Sequence, residues 1–144
     1  MNRPPASDEP VTFPPKRRGV WRVLHSFRYA GAGLRAAWRT QLNLRVHVMI
    51  TLLVVTVGIG LGWSSRPLGR LEWAALFICI GLVIALELTN TAIEVTVDLV
   101  CPQPDPRAKL AKDAAAGAVL VMAIASAGVG VLIFAPRLWV SLIG

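Results

Sequence analysis

Four polar side chains recur inside an apolar run: Glu87, Asn90, Glu94 and Asp98. At about 100° per residue they fall within about an 80° arc of a helix, forming one polar stripe. An acidic residue at the centre of a membrane helix costs about 2.5 to 3.5 kcal/mol, so a stripe with three of them is expected to face protein, water or a ligand and not lipid. The chemistry differs along its length. Glu94 and Asp98, at the end nearest a proline-rich break, are followed beyond it by Lys112 and Asp113. Carboxylates suit Mg²⁺, which takes one or two of them together with substrate phosphates, and a lysine suits the phosphates themselves. Glu87 lies about two turns deeper, in a drier setting where a carboxylate can act as a proton acceptor. Phosphoryl transfer to a lipid hydroxyl at the membrane surface uses both zones. Two plainer readings stand beside it: a packing seam without chemistry, and a proton relay in a small proton-coupled carrier. The Lys112-Asp113 pair beside Asp98 is what a carrier would not need.

The elements that must hold these residues follow from the apolar pattern. Residues 1–18 contain five prolines and scattered charge, a composition expected to leave a disordered cytoplasmic tail. From 19 to 41, Val20, Leu24, Phe27, Gly31, Leu34 and Trp38 recur at helical spacing, with Arg28, Arg35 and Arg39 along one flank. This predicts an amphipathic helix lying in the membrane interface. Residues 44–63 are long and apolar enough for a first span. Residues 71–100 make a second that overshoots the bilayer, and 112–134, rich in Ala and Gly, a third suited to close packing. The fold class is therefore all-α and integral to the membrane, with a surface helix and three transmembrane helices.

Composition agrees: 55% of the 144 residues are hydrophobic and only 16% charged, with mean hydropathy +0.60. The net charge of +7 does not point to nucleic acid, because nine of the fifteen Lys and Arg residues precede Val46, just ahead of the first span. The basic residues place the N-terminus and the 101–111 loop on the cytoplasmic side, so the acidic end of the stripe opens where nucleotides are. Cys79 and Cys101 are separated by about 33 Å on one helix and are expected to be free thiols. Trp38, Trp63 and Trp73 read as interfacial belt residues, and Arg45 and His47 as interfacial anchors. Gly31-Ala-Gly33-Leu-Arg-Ala36 matches a dinucleotide fingerprint in letters only, since no strand precedes it.

The run from Glu87 through Asn90 and Glu94 to Asp98, followed by Ala111-Lys112-Asp113-Ala-Ala-Ala-Gly117, resembles the prokaryotic diacylglycerol kinase family, which includes undecaprenol kinases. Ser26-Phe27-Arg28-Tyr29, Gly33-Leu34-Arg35-Ala36-Ala37-Trp38 and Asn43-Leu44-Arg45-Val46-His47 carry the likeness upstream. The resemblance implies a homotrimeric kinase of the bacterial cytoplasmic membrane, using ATP and Mg²⁺ on a lipid alcohol, either undecaprenol or diacylglycerol. The Asn43–His47 and Asp113–Gly117 variants lean toward undecaprenol. By resemblance, Glu87 is the general base and Glu94 a metal ligand. Asn90 positions the acceptor or Glu87, Arg35 and Trp38 position the acceptor, and Arg22, Tyr29, Asp98, Lys112 and Asp113 surround the nucleotide. One departure stands out: Gln41 occupies the position of a second metal-binding Glu in much of the family. It is expected to face the metal still, through an uncharged carbonyl.

Overall fold

A computed structural model describes residues 20–61 and 67–143, leaving aside the side chains of residues 20–22, 24 and 141–143. The expected tail, together with Trp63, lies outside the described residues. Four helices make up the fold: α1 (Val20–Thr40), α2 (Leu42–Leu61), α3 (Arg70–Val100) and α4 (Pro106–Ile143). Two compact units divide the chain, residues 1–33 and 34–144. The described part of the first is helix alone; the second holds the end of α1 and all of α2, α3 and α4.

The helices α2, α3 and α4 are each long and apolar enough to cross a membrane. Within lipid a hydroxyl must find its partner inside the structure. Thr51 accordingly donates to the His47 carbonyl at 2.9 Å, Thr89 to Ala85 at 2.8 Å, and Thr96 to Ala92 at 2.7 Å, each one turn back on its own helix. Only Gln41 separates α1 from α2, and its N–H still donates to the Ala37 carbonyl at 2.8 Å.

Central to the second unit is α3, which packs along much of its length against α4 and more sparsely against α2. Two ion pairs fix the antiparallel register of α3 and α4. Lys112 Nζ lies 2.8 Å from Asp98 Oδ1 at the loop end. At the far end Arg137 Nη2 lies 2.8 Å from Glu72 Oε2. The same Glu72 oxygen accepts the Gly69 N–H at 2.8 Å, tying the start of α3 to this pair.

The helix carrying the third expected span begins at Pro106 and runs to Ile143, past both ends of 112–134. Its early start has a local cause. Asp105 accepts the Arg107 N–H at 2.6 Å, as an N-cap does, and Pro106 takes the first helical position, where a missing N–H costs nothing. Those bonds hold the Asp105 carboxyl below its ordinary range, the Arg107 backbone N–H contributing most and the Arg107 guanidinium next, so the cap is charged at neutral pH. Its late end crosses Pro136, which lacks the N–H that would reach back to Leu132. Arg137 Nη1 donates to the neighbouring Ile133 carbonyl at 2.7 Å, supporting the backbone at this point.

The apolar core lies toward the Glu72 end, where Leu68, Leu76 and Ile133 are buried with Val54, Leu61, Trp73, Val129 and Phe134 against them. Here α2 approaches α3 through Gly58. A Cβ added to Gly58 would stand 2.7 Å from Trp73 Cη2 and 3.1 Å from Cζ2, and that indole is stacked on Phe77 with ring centroids 5.6 Å apart. Gly58→Leu is therefore expected to force the two helices apart, destabilising the fold by about 1 to 3 kcal/mol as overpacking does. Thermal unfolding in detergent checks this; an unchanged midpoint would show that the approach is not tight.

Candidate active site

The buried residues of α3 are Leu76, Val83, Glu87 and Asn90, separated by seven, four and three positions and so on one face of the helix. Apolar at one end and polar at the other, this face withdraws Glu87 and Asn90 from the surface of the described residues. Glu87 is 2% exposed and Asn90 6%. Glu94, one turn beyond Asn90, is half-buried, and Asp98 is exposed. The stripe thus rises from a closed interior to an open end.

Two side chains converge on Glu94. Asn90 Nδ2 donates to Glu94 Oε1 at 3.1 Å, and Gln41 Nε2 reaches Glu94 Oε2 at 3.4 Å from the break between α1 and α2. Asn90 therefore orients Glu94 and not Glu87, and its own Oδ1 is buried without a hydrogen-bond partner. An orphaned carbonyl oxygen beside a carboxylate suits a cation or a donor hydroxyl. Among the described residues no group of three or more His, Cys, Asp or Glu side chains could hold a metal ion. The donor set here is different: one carboxylate from Glu94 and two amides whose half-turn exchanges nitrogen for oxygen. Such a set fits Mg²⁺, which completes its sphere with water and substrate phosphates.

Toward the loop, Asp98 holds Lys112 as described, and Lys109 pairs with Asp113 one turn apart on α4. These four side chains, with Cys101 and Asp105, line a cavity of about 740 Å³ beside the loop between α3 and α4. Lysines in an open cavity next to acidic residues can hold a phosphorylated ligand and its cation together. Lys109 was not singled out by sequence reasoning; the four-residue spacing of Lys109 and Asp113 was the available signal.

The remaining expected site residues are less engaged. Arg35 is exposed and Trp38 is 44% exposed on α1, and neither hydrogen-bonds to the Glu94 cluster among the described residues. Tyr29, in the first unit, has its ring tilted against His25 with centroids 6.4 Å apart. The side chain of Arg22 lies outside the described residues. Cys79 and Cys101 are both free, as their separation predicted. His47, read as an anchor, is half-buried on α2.

Comparison with known proteins gives one family. A model described as prokaryotic diacylglycerol kinase matches residues 28–134. An undecaprenol kinase of Bacillus subtilis is 44% identical over 122 residues, covering 85% of this chain and 95% of that protein. A diacylglycerol kinase of Synechocystis is 42% identical over 139 residues, covering 93% of this chain and 76% of its own length. The diacylglycerol kinase of Escherichia coli K12 is 29% identical over 121 residues, with 84% and 92% covered.

Proposed function

The chain belongs to the prokaryotic diacylglycerol kinase family, and on that premise we propose that it moves the γ-phosphoryl group of ATP onto the hydroxyl of a membrane lipid alcohol, with Glu87 as the base. It is a membrane-embedded lipid kinase. The observation that carries the residue roles is the position of Glu87: fully buried, on the same face as Glu94, and two turns farther from the loop.

The Glu87 carboxylate accepts the proton of the lipid hydroxyl as the oxygen bonds to the γ-phosphorus and ADP leaves. Thr91 Oγ1 donates to the Glu87 backbone carbonyl at 2.9 Å, so this hydroxyl is occupied and does not compete for the carboxylate. Glu94, oriented by Asn90 and Gln41, would hold Mg²⁺, which when bound neutralises the charge of the phosphates. Lys112, steadied by Asp98, offers its ammonium to the same phosphates, and the cavity beside it receives the rest of the nucleotide. Arg22 and Tyr29 belong in this reading to the nucleotide, Arg35 and Trp38 to the acceptor. The loop end of α3 faces the cytoplasm, where ATP is, and the working unit is a homotrimer. The acceptor is undecaprenol, supported by the 44% identity to a kinase of that name and by the Asn43–His47 and Asp113–Gly117 variants.

The test is purified protein in detergent with γ-labelled ATP, offered undecaprenol and diacylglycerol separately. Label on undecaprenol in excess of diacylglycerol is the expected result; no label on either lipid by folded protein would overturn the reading. Gln41→Glu adds a second carboxylate beside Glu94. Because ligand charge count tunes the affinity of a cation site, half-saturating Mg²⁺ is expected to fall about tenfold. An unchanged Mg²⁺ curve would remove Gln41 from the metal.

A further inference from the structure

A second cavity, of about 450 Å³, runs along α3 between α2 and α4. Leu76, Cys79, Ile80 and Val83 of α3 form its floor; Ile50 and Val54 belong to the α2 wall, and Ala123, Ala127, Gly130 and Leu138 to the α4 wall. Its lining is almost wholly apolar, and no cationic or acidic side chain contributes except the imidazole of His47.

Where this cavity begins matters more than its composition. The ion pairs Asp98–Lys112 and Glu72–Arg137 mark the antiparallel register; counting inward from the first sets Ala123 opposite Glu87, and from the second its neighbour Met122. From Ala123 to Leu138 the α4 wall extends fifteen positions, or about 22 Å at about 1.5 Å per residue. On the floor, Val83 is one turn from Glu87 on the same buried face. At the same end is His47 of α2. The cavity therefore ends about one turn of α3 from Glu87, which does not itself line it, and leads away from the phosphate zone into the apolar interior.

We propose that this groove seats one hydrocarbon chain of the acceptor, and that it measures only the first part of that chain, next to the hydroxyl. The inference rests on the kinase reading given above. Its occupant follows from proximity: a lipid whose hydroxyl is at Glu87 has its chain about one turn of α3 from the end of an apolar groove. Taking about 30 Å³ for each group the size of a water molecule, the groove holds about fifteen chain carbons. That is room for a single chain, so a second acyl chain, and the distal isoprene units of a polyprenol, stay in the bilayer. Because lipid tails are as apolar as the groove wall, leaving the bilayer for the groove gains little from hydrophobicity. Selection is by fit, so it ends where the groove ends.

The experiment measures KM and kcat for single-chain prenyl alcohols of graded length, each at the same mole fraction in mixed micelles, for the wild-type chain and Gly130→Leu. A Cβ added at Gly130 meets nothing within 4 Å, and the rest of the leucine enters groove space; intact folding is verified by an unchanged thermal midpoint. The expected result is a KM that falls with length to about fifteen carbons and is level beyond, with the break moved to shorter chains in Gly130→Leu. A KM that ignores length, or a Gly130→Leu protein with the wild-type profile, would overturn the proposal. So would a change in the assembly size of Gly130→Leu, because the groove would then hold a helix of a second copy, a partner that could also bond the buried Ser126 hydroxyl, which has none. Failure of the kinase reading looks different: no alcohol of any length is phosphorylated.

Discussion

Glu87→Gln protein is expected to fold, insert and bind nucleotide normally while transferring phosphate about a hundredfold to ten-thousandfold more slowly, the range a general base contributes. The amide matches the carboxylate in size, and at 2% exposure a change of size would be felt through packing. What it removes is the capacity to take a proton. The loss should therefore appear in kcat, with the apparent affinity for ATP within about a factor of two to three, since a lost interaction made only in the transition state lowers kcat and kcat/KM together. Glu87→Asp keeps the charge but withdraws it by one methylene, and a displacement of about 1 Å can cost about a hundredfold when reacting atoms are held in line. Turnover of Glu87→Gln within tenfold of wild type would assign the proton to another group, and His47 would be the first to examine.

Glu94→Gln is expected to raise the Mg²⁺ concentration needed for half-maximal rate by at least about ten- to a hundredfold, the range seen even for partners one step removed from a metal. Two amide donors converge on this carboxylate, from Asn90 at 3.1 Å and from Gln41 at 3.4 Å. With an amide in its place one of them faces another donor, so the variant also loosens Gln41 at the break before α2. Saturating Mg²⁺ separates the two effects: a rate that recovers reports lost metal affinity, and a rate that stays low reports lost orientation. An Mg²⁺ titration indistinguishable from wild type would place the ion elsewhere.

Much of this site was legible before the structure because it is written on one helix. The spacing of Glu87, Asn90, Glu94 and Asp98 fixes their common face whatever surrounds it, and the structure adds the gradient from buried Glu87 to exposed Asp98. Contacts between helices were less readable. Nothing local in Gln41 says that its amide meets Glu94, fifty-three positions away; the resemblance to a family supplied that expectation. The start of α4 was legible in principle. Asp105-Pro106 is a cap followed by a first-turn proline, but Pro102, Pro104 and Pro106 together read as a break. The end of α4 was not legible, because a helix continues through Pro136 with help from Arg137, whose other nitrogen is held by Glu72 on a different helix. The groove depended on the register of three helices, which no single stretch encodes.

The two ion pairs that clamp α3 to α4 have a consequence for how such a protein can diversify. With Lys112 on Asp98 at one end and Arg137 on Glu72 at the other, the middle of α4 is relieved of specifying which turn lies opposite which. Ala123, Ala127 and Gly130 can then change in bulk without letting the helices slip by a turn and carry Lys112 away from Asp98. Descendants of one such chain can exchange acceptors by small substitutions in mid-helix while the reaction centre is inherited intact.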